Sequence, residues 1–164
     1  MIRMPGSLVG INTLVPNRLV TGAVASGQIE ELAGYDFLRT EVASGSNTRL
    51  DLRLTKKDGS ACYVEVKNCT LVHDGVAYFP DAVTTRGLKH LHELEKLVRQ
   101  GYRSAVFFVV QRSDAKKFHP ADMIDPSYGR QLRAAAKNKV EIIAYDVHIS
   151  LKRIALRKSV PWEL

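Results

Sequence analysis

The apolar positions change period several times along the chain, and each change predicts an element. Behind Pro16-Asn17, residues Leu19, Val20, Ala23 and Val24 recur at helical spacing as far as Gly27, and a second short helix is expected over residues 28–32, ended by Gly34. From Phe37 the pattern becomes β-like, predicting strands over 37–42 and 49–55 separated by the turn cluster Ala43-Ser44-Gly45-Ser46-Asn47. Further strands are expected over 61–67 and 76–79. Thr84-Thr85 opens a helix whose stripe of Leu88, Leu91, Leu94, Leu97 and Val98 stops before Gly101. Beyond it lie a buried strand over 103–111, a helix over 125–137 and closing strands over 140–147 and 149–156. Strands interleaved with helices predict an α/β fold, with a mixed central sheet flanked by helices.

The pair of strands around Lys57-Asp58-Gly59 is the most informative segment. Leu50, Leu52 and Leu54 alternate with Asp51 and Arg53, while Cys62, Val64 and Val66 alternate with Tyr63, Glu65 and Lys67. Burying both apolar sets together pairs Leu54 with Cys62, Leu52 with Val64 and Leu50 with Val66. That register makes 57–59 a three-residue turn with glycine at the left-handed position. It also sets Asp51 across from Glu65, Cβ atoms roughly 5 Å apart, with Lys67 about 7 Å further along.

Facing carboxylates repel, which raises one pKa and calls for a compensating charge. A hard divalent cation with oxygen ligands supplies it. So does an ion cluster in which Lys67 and Arg49 pair with the acids, and the pattern alone leaves both open. Pro80-Asp81 follows Glu65-Val66-Lys67 instead of preceding it, so Asp81 is expected to cap the loop or the Thr84 helix. His90 is placed with Arg86 on the polar side of that helix, solvated or facing phosphate.

Composition adds boundaries. The 164 residues suit one domain, and 45% apolar with 25% charged residues is an ordinary globular balance. The longest apolar run, Ala105 to Val110, is too short for a bilayer, which needs about 20 residues. No export-signal pattern occupies residues 1–10, so the cytoplasm is the default compartment. Cys62 and Cys69 form no CxxC pair and read as reduced, buried thiols. The net charge of +7 is concentrated in Arg130, Arg133, Lys137, Lys139, Lys152, Arg153, Arg157 and Lys158. Such a surface meets phosphate or is merely a soluble basic face.

Residues 49–70, RLDLRLTKKDGSACYVEVKNCT, resemble the PD-(D/E)xK nuclease-like core, with Leu-Asp in place of Pro-Asp. Further segments are Gly10-Ile-Asn-Thr with Pro16-Asn17, Gly45-Ser-Asn-Thr-Arg-Leu-Asp51, Tyr63-Val-Glu-Val-Lys-Asn68, the run FPDAVTTRGLKHL from Phe79 to Leu91, and Ile124-Asp-Pro-Ser-Tyr128. Taken together, from about residue 8 to residue 156, the chain resembles the sugar fermentation stimulation protein A family.

The resemblance implies a restriction-endonuclease-like fold that binds DNA. It casts Asp51, Glu65 and Lys67 as catalytic, and Asp51, Glu65, the Val66 carbonyl and Glu41 as ligands of Mg²⁺ or Mn²⁺. Arg49, Asn68, Arg86, Lys89 and His90 become the expected nucleic-acid contacts. Family members usually carry a small OB-like barrel ahead of this domain, whereas the chain begins near the family's Asn-Thr segment, so one nuclease-like domain over 1–164 is expected. Two functions follow: a metal-dependent DNA phosphodiesterase, or a non-catalytic DNA-binding regulator or accessory factor of sugar metabolism. A protein-interaction role is suggested only by the family name.

Overall fold

The computed structural model describes residues 1–4, 7–45 and 48–164. Ser46 and Asn47 of the expected turn cluster therefore lie outside the described residues. A short antiparallel pair, β1 (Ile2–Met4) and β2 (Ser7–Val9), precedes α1 (Val15–Ala25). A 3₁₀ turn at Glu30–Leu32 leads into β3 (Phe37–Ser44), β4 (Thr48–Thr55) and β5 (Ala61–Cys69). After β6 (Leu71–His73) and β7 (Val76–Phe79) come α2 (Thr85–Arg99), β8 (Arg103–Val110), β9 (Lys117–Pro120), α3 (Pro126–Lys137), β10 (Glu141–Ile149) and β11 (Ile154–Ser159).

The main sheet has the order β11-β10-β8-β5-β4-β3, and β6, β7 and β9 form a smaller one. Within the main sheet β5, β8 and β10 are parallel neighbours, with α2 and α3 in the crossovers that parallel pairing requires. The outer pairs are antiparallel. This is the mixed sheet flanked by helices that the periodicity predicts.

Strand alternation divides the core in two. On one face Val20 and Ala23 of α1, with Ile29 and Leu32, cover Leu52, Leu54, Cys62, Val64, Val66, Phe107 and Val109. On the other, Leu91, Leu94 and Leu97 of α2 and Tyr128, Leu132 and Ala135 of α3 cover Tyr63, Val106, Phe108 and Ala144. Burial on both faces explains why residues 105–110 read as an unbroken apolar run. Cys62 and Cys69 are buried free thiols, as expected, and burial pushes both up to about 12.

The β4–β5 hairpin keeps its predicted turn. Lys56 and Ser60 close it, with Lys56 N–H donating to Ser60 O at 2.9 Å, and Gly59 takes a φ of +88°. Gly59→Ala should therefore cost about 1 kcal/mol, measured as a lower urea midpoint at unchanged m-value.

Further from the turn the expected register gives way. Pairing runs from Thr55↔Ala61 to Leu52↔Val64 and stops, so neither Leu50↔Val66 nor a ladder pair between Asp51 and Glu65 forms. Leu50 joins the α2 face, apart from Leu52 and Leu54. The irregularity has a partner on β3, where Glu41 adopts a left-handed φ of +53° and the β3–β4 register passes over Glu41 and Asp51.

Two other corrections concern the boundaries. β10 continues to Ile149, and β11 starts only at Ile154 after a turn in which Ser150 N–H donates to Arg153 O. The short strands β1, β2, β6 and β9 were not expected.

Candidate functional site

Asp51, Glu65 and Lys67 come together where β4 and β5 part. The Asp51 carboxylate enters that gap and takes over as acceptor for the Val66 backbone: Val66 N–H donates to Asp51 Oδ2 at 2.7 Å. Its other oxygen accepts from Asn17 Nδ2 at 2.7 Å, so α1 reaches the same carboxylate.

Period-2 alternation on β5 sends Glu65 and Lys67 to the face that α2 covers. Lys67 Nζ donates to Glu65 Oε1 at 2.7 Å, and His90 Nδ1 from α2 is bonded to the same oxygen. Lys67 Nζ and His90 Nδ1 lie 3.2 Å apart. Glu65 Oε2 is buried and has no hydrogen-bond partner among the described residues.

Electrostatics separates the two acids. Burial and the neighbouring Glu65 charge push the Asp51 carboxyl above its usual range, against the pull of the Val66 N–H and the Asn17 amide. Burial also opposes the Glu65 anion. There the His90 bond and the Lys67 ammonium prevail, and the Glu65 carboxyl lies below its usual range.

The remaining predicted residues fall into three groups. Arg49, Arg86, Lys89 and His90 line one cleft of about 680 Å³ together with Thr48 and Thr85, and no carboxylate is among its lining residues. Asn68 turns elsewhere, its Oδ1 accepting from Gln111 Nε2 at 2.7 Å. Glu41 is exposed on β3. Among the described residues no group of three or more His, Cys, Asp or Glu side chains is gathered as a metal cage.

His90 differs from its expected solvated position. It is 6% exposed, because the apolar stripe that docks α2 carries the ring inward onto Glu65. Asp81 is exposed and does not cap α2. Thr84 Oγ1 accepts from Gly87 N–H and Asp125 Oδ2 accepts from Thr84 N–H, both at 2.9 Å. The C-terminal cations are partly neutralised, since Arg133 pairs with Asp122 and Arg157 with buried Asp146. The sequence marks Asn17 as a helix entry and as part of a segment of the family resemblance, without a site role. Its place in the Pro16-Asn17 segment was visible in the sequence, but its contact with Asp51 depends on how α1 crosses the sheet.

As for the membrane, no helix among the described residues is long and apolar enough to cross one. Residues 14–153 match the family model described as "Sugar fermentation stimulation protein RE domain". A sugar fermentation stimulation protein homolog of Citrifermentans bemidjiense is 51% identical over 161 residues, covering 98% of this chain and 69% of that one. One from Geotalea uraniireducens is 54% identical over 150 residues, 92% of this chain and 64% of its own. Among solved structures, Pyrococcus furiosus SfsA in complex with Ca²⁺ superposes with a TM-score of 0.89 at 29% identity, over 97% of this chain and 68% of that one. The chain belongs to the sugar fermentation stimulation protein family.

Proposed function

We propose that this chain binds DNA through the Arg49–Arg86–Lys89 cleft and hydrolyses it with Mg²⁺ or Mn²⁺ held by Asp51 and Glu65. The observation that carries this reading is the double position of His90, which lines the cationic cleft and also bonds Glu65. A phosphodiester drawn to the cleft is thereby brought next to the carboxylates.

The residues fit a hard cation. Glu65 Oε2 is a buried oxygen without a hydrogen-bond partner among the described residues, and Asp51 is a second carboxylate whose ionisation a cation would favour. The Val66 carbonyl is a candidate third ligand. Two carboxylates and a carbonyl suit an ion that keeps several waters, as Mg²⁺ does. The Pyrococcus furiosus relative binds Ca²⁺, another oxygen-seeking cation. When bound, the ion supplies a water of lowered pKa and neutralises phosphate charge. Glu41, exposed on the neighbouring strand, is retained as an outer carboxylate.

The protein's own groups do the rest. Arg49, Arg86 and Lys89 hold the phosphate backbone. Lys67, fixed on Glu65, presents an ammonium to charge developing on the phosphoryl oxygens. His90 sets the Glu65 carboxylate from the α2 side. Asn68 acts through Gln111 instead of touching the cleft.

The alternative of a non-catalytic DNA-binding regulator is favoured by one feature: Lys67 and His90 satisfy one Glu65 oxygen from the protein's own side chains. Labelled single- and double-stranded DNA incubated with the chain and Mn²⁺ separates the two readings, with Mn²⁺-dependent cleavage expected here and binding without cleavage expected of the regulator. The cleft has its own test. Arg86→Ala with Lys89→Ala should weaken DNA binding and reduce the slope of log K against log salt by roughly 2, about 0.9 for each duplex phosphate contact. An unchanged slope would place the DNA elsewhere.

A further inference from the structure

We propose that Asn17 is a positioning residue of the carboxylate pair: delivered by a braced arm over residues 10–14, its amide fixes Asp51 in the orientation that receives the divalent cation. This rests on the metal-site reading above.

Both oxygens of Asp51 are engaged by donors from different elements, Asn17 Nδ2 of α1 and Val66 N–H of β5, each at 2.7 Å. A carboxylate held at both oxygens cannot turn about its terminal bond without losing a donor. Each oxygen retains lone-pair capacity for a cation. The Val66 donor is backbone and comes with β5, so Asn17 is the part of this grip that a side chain supplies.

The arm before Asn17 is built for placement. Gln111, just beyond β8, is fully buried, and its backbone N–H donates to Cys69 O at 2.9 Å while its carbonyl accepts from Gly10 N–H at 3.0 Å. Its side-chain amide donates to Asn68 Oδ1 at 2.7 Å and to Asn12 O at 3.3 Å. Gly10 passes so close that a Cβ there would collide with Gln111 Oε1. Asn12 then turns the chain into α1, accepting Leu14 N–H on its side chain at 2.9 Å and Val15 N–H on its carbonyl at 3.2 Å. Gln111 thus ties the lead-in of α1 to Asn68, the residue after Lys67. Both ends of the Asn17–Asp51 contact are referenced to the same strand.

Outer partners of metal ligands are worth about 10–100-fold in metal affinity. The test is Mn²⁺ binding by titration calorimetry on the full chain without DNA, with a thermal melt of each variant. Asn17→Leu, similar in size but without a donor, should bind Mn²⁺ about 10–100-fold more weakly. Asn17→Ser, which restores a shorter donor, should recover part of the loss. If Asn17 were only a packing residue, affinity would follow melting temperature and the serine variant would gain nothing over leucine. Wild-type affinity, within twofold, in folded Asn17→Leu overturns the inference and leaves the metal site standing. Failure of the wild-type chain to bind Mn²⁺ removes the metal site and this inference together.

Discussion

Glu65→Gln and Lys67→Ala should each lower Mn²⁺-dependent DNA cleavage by on the order of 10²–10³-fold while DNA binding persists. The magnitude is that of removing a metal ligand or a group that stabilises transition-state charge. The two effects differ in kind. Glu65→Gln removes the buried anion that would hold the cation, so Mn²⁺ affinity falls together with turnover. Lys67→Ala leaves both carboxylates and the His90 bond, so metal binding survives and the loss falls on the chemical step.

Because Lys67 is largely buried and Glu65 is its ion-pair partner, the glutamine variant also leaves a cation without its counterion. A thermal melt must accompany the assay. Cleavage by a folded Glu65→Gln chain at the wild-type rate would contradict the assignment. Binding is assigned by the proposal to Arg49, Arg86 and Lys89, cleft residues that neither substitution touches.

The largest stability effect is expected at Asp125. Its Oδ1 accepts from Tyr128 N–H at 3.0 Å, capping α3, and its Oδ2 accepts from Thr84 N–H at 2.9 Å at the start of α2. One buried carboxylate therefore joins the N-termini of both helices that cover the site face. At about 0.5–2 kcal/mol for a cap, Asp125→Ala should cost about 2–3 kcal/mol, a fall in melting temperature of roughly 5–10 °C for a chain of this size.

The same residue sets an acid dependence. Burial opposes the Asp125 anion, but the Thr84, Tyr128 and Ser127 N–H groups outweigh it and hold the carboxyl below its usual range. A depressed folded pKa stabilises fully above the unfolded value, about 3.9, and that stabilisation is lost as pH falls through the lower folded value. The wild-type chain should thus lose stability on acidification below pH 4 more steeply than Asp125→Asn. Since α2 carries Arg86, Lys89 and His90, Asp125→Ala should weaken DNA binding as well. A melting temperature within 2 °C of wild type for Asp125→Ala would remove this account of the helix pair.

What the sequence discloses depends on the range of the cause. The turn at Gly59, the stripe of α2 and the buried run of β8 follow from local periodicity, and each was legible to within a residue or two. Glu65 and Lys67 sharing a face follows from the same alternation. The position of Asp51 does not, because its carboxylate takes the Val66 N–H only where β4 and β5 part, a break that local alternation does not disclose.

Helix caps show the same contrast. Asp81 is near Thr84 in sequence, while Asp125 reaches it only through the packing of α3 beside α2. His90 reads as polar-faced by helical spacing, yet the docking of α2 carries it inward onto Glu65. The short strands β6 and β9 escape notice because Leu71–His73 spans only three residues and Lys117–Pro120 is held in place by pairing with β7.

The central claim is that Asp51 and Glu65 hold a divalent cation. A crystal of the chain soaked in Mn²⁺ and measured at the manganese edge tests it directly. The account predicts an anomalous peak within bonding distance of Glu65 Oε2 and an Asp51 oxygen. Saturating Mn²⁺ with no peak there, and with Lys67 and His90 still closed on Glu65, would contradict it.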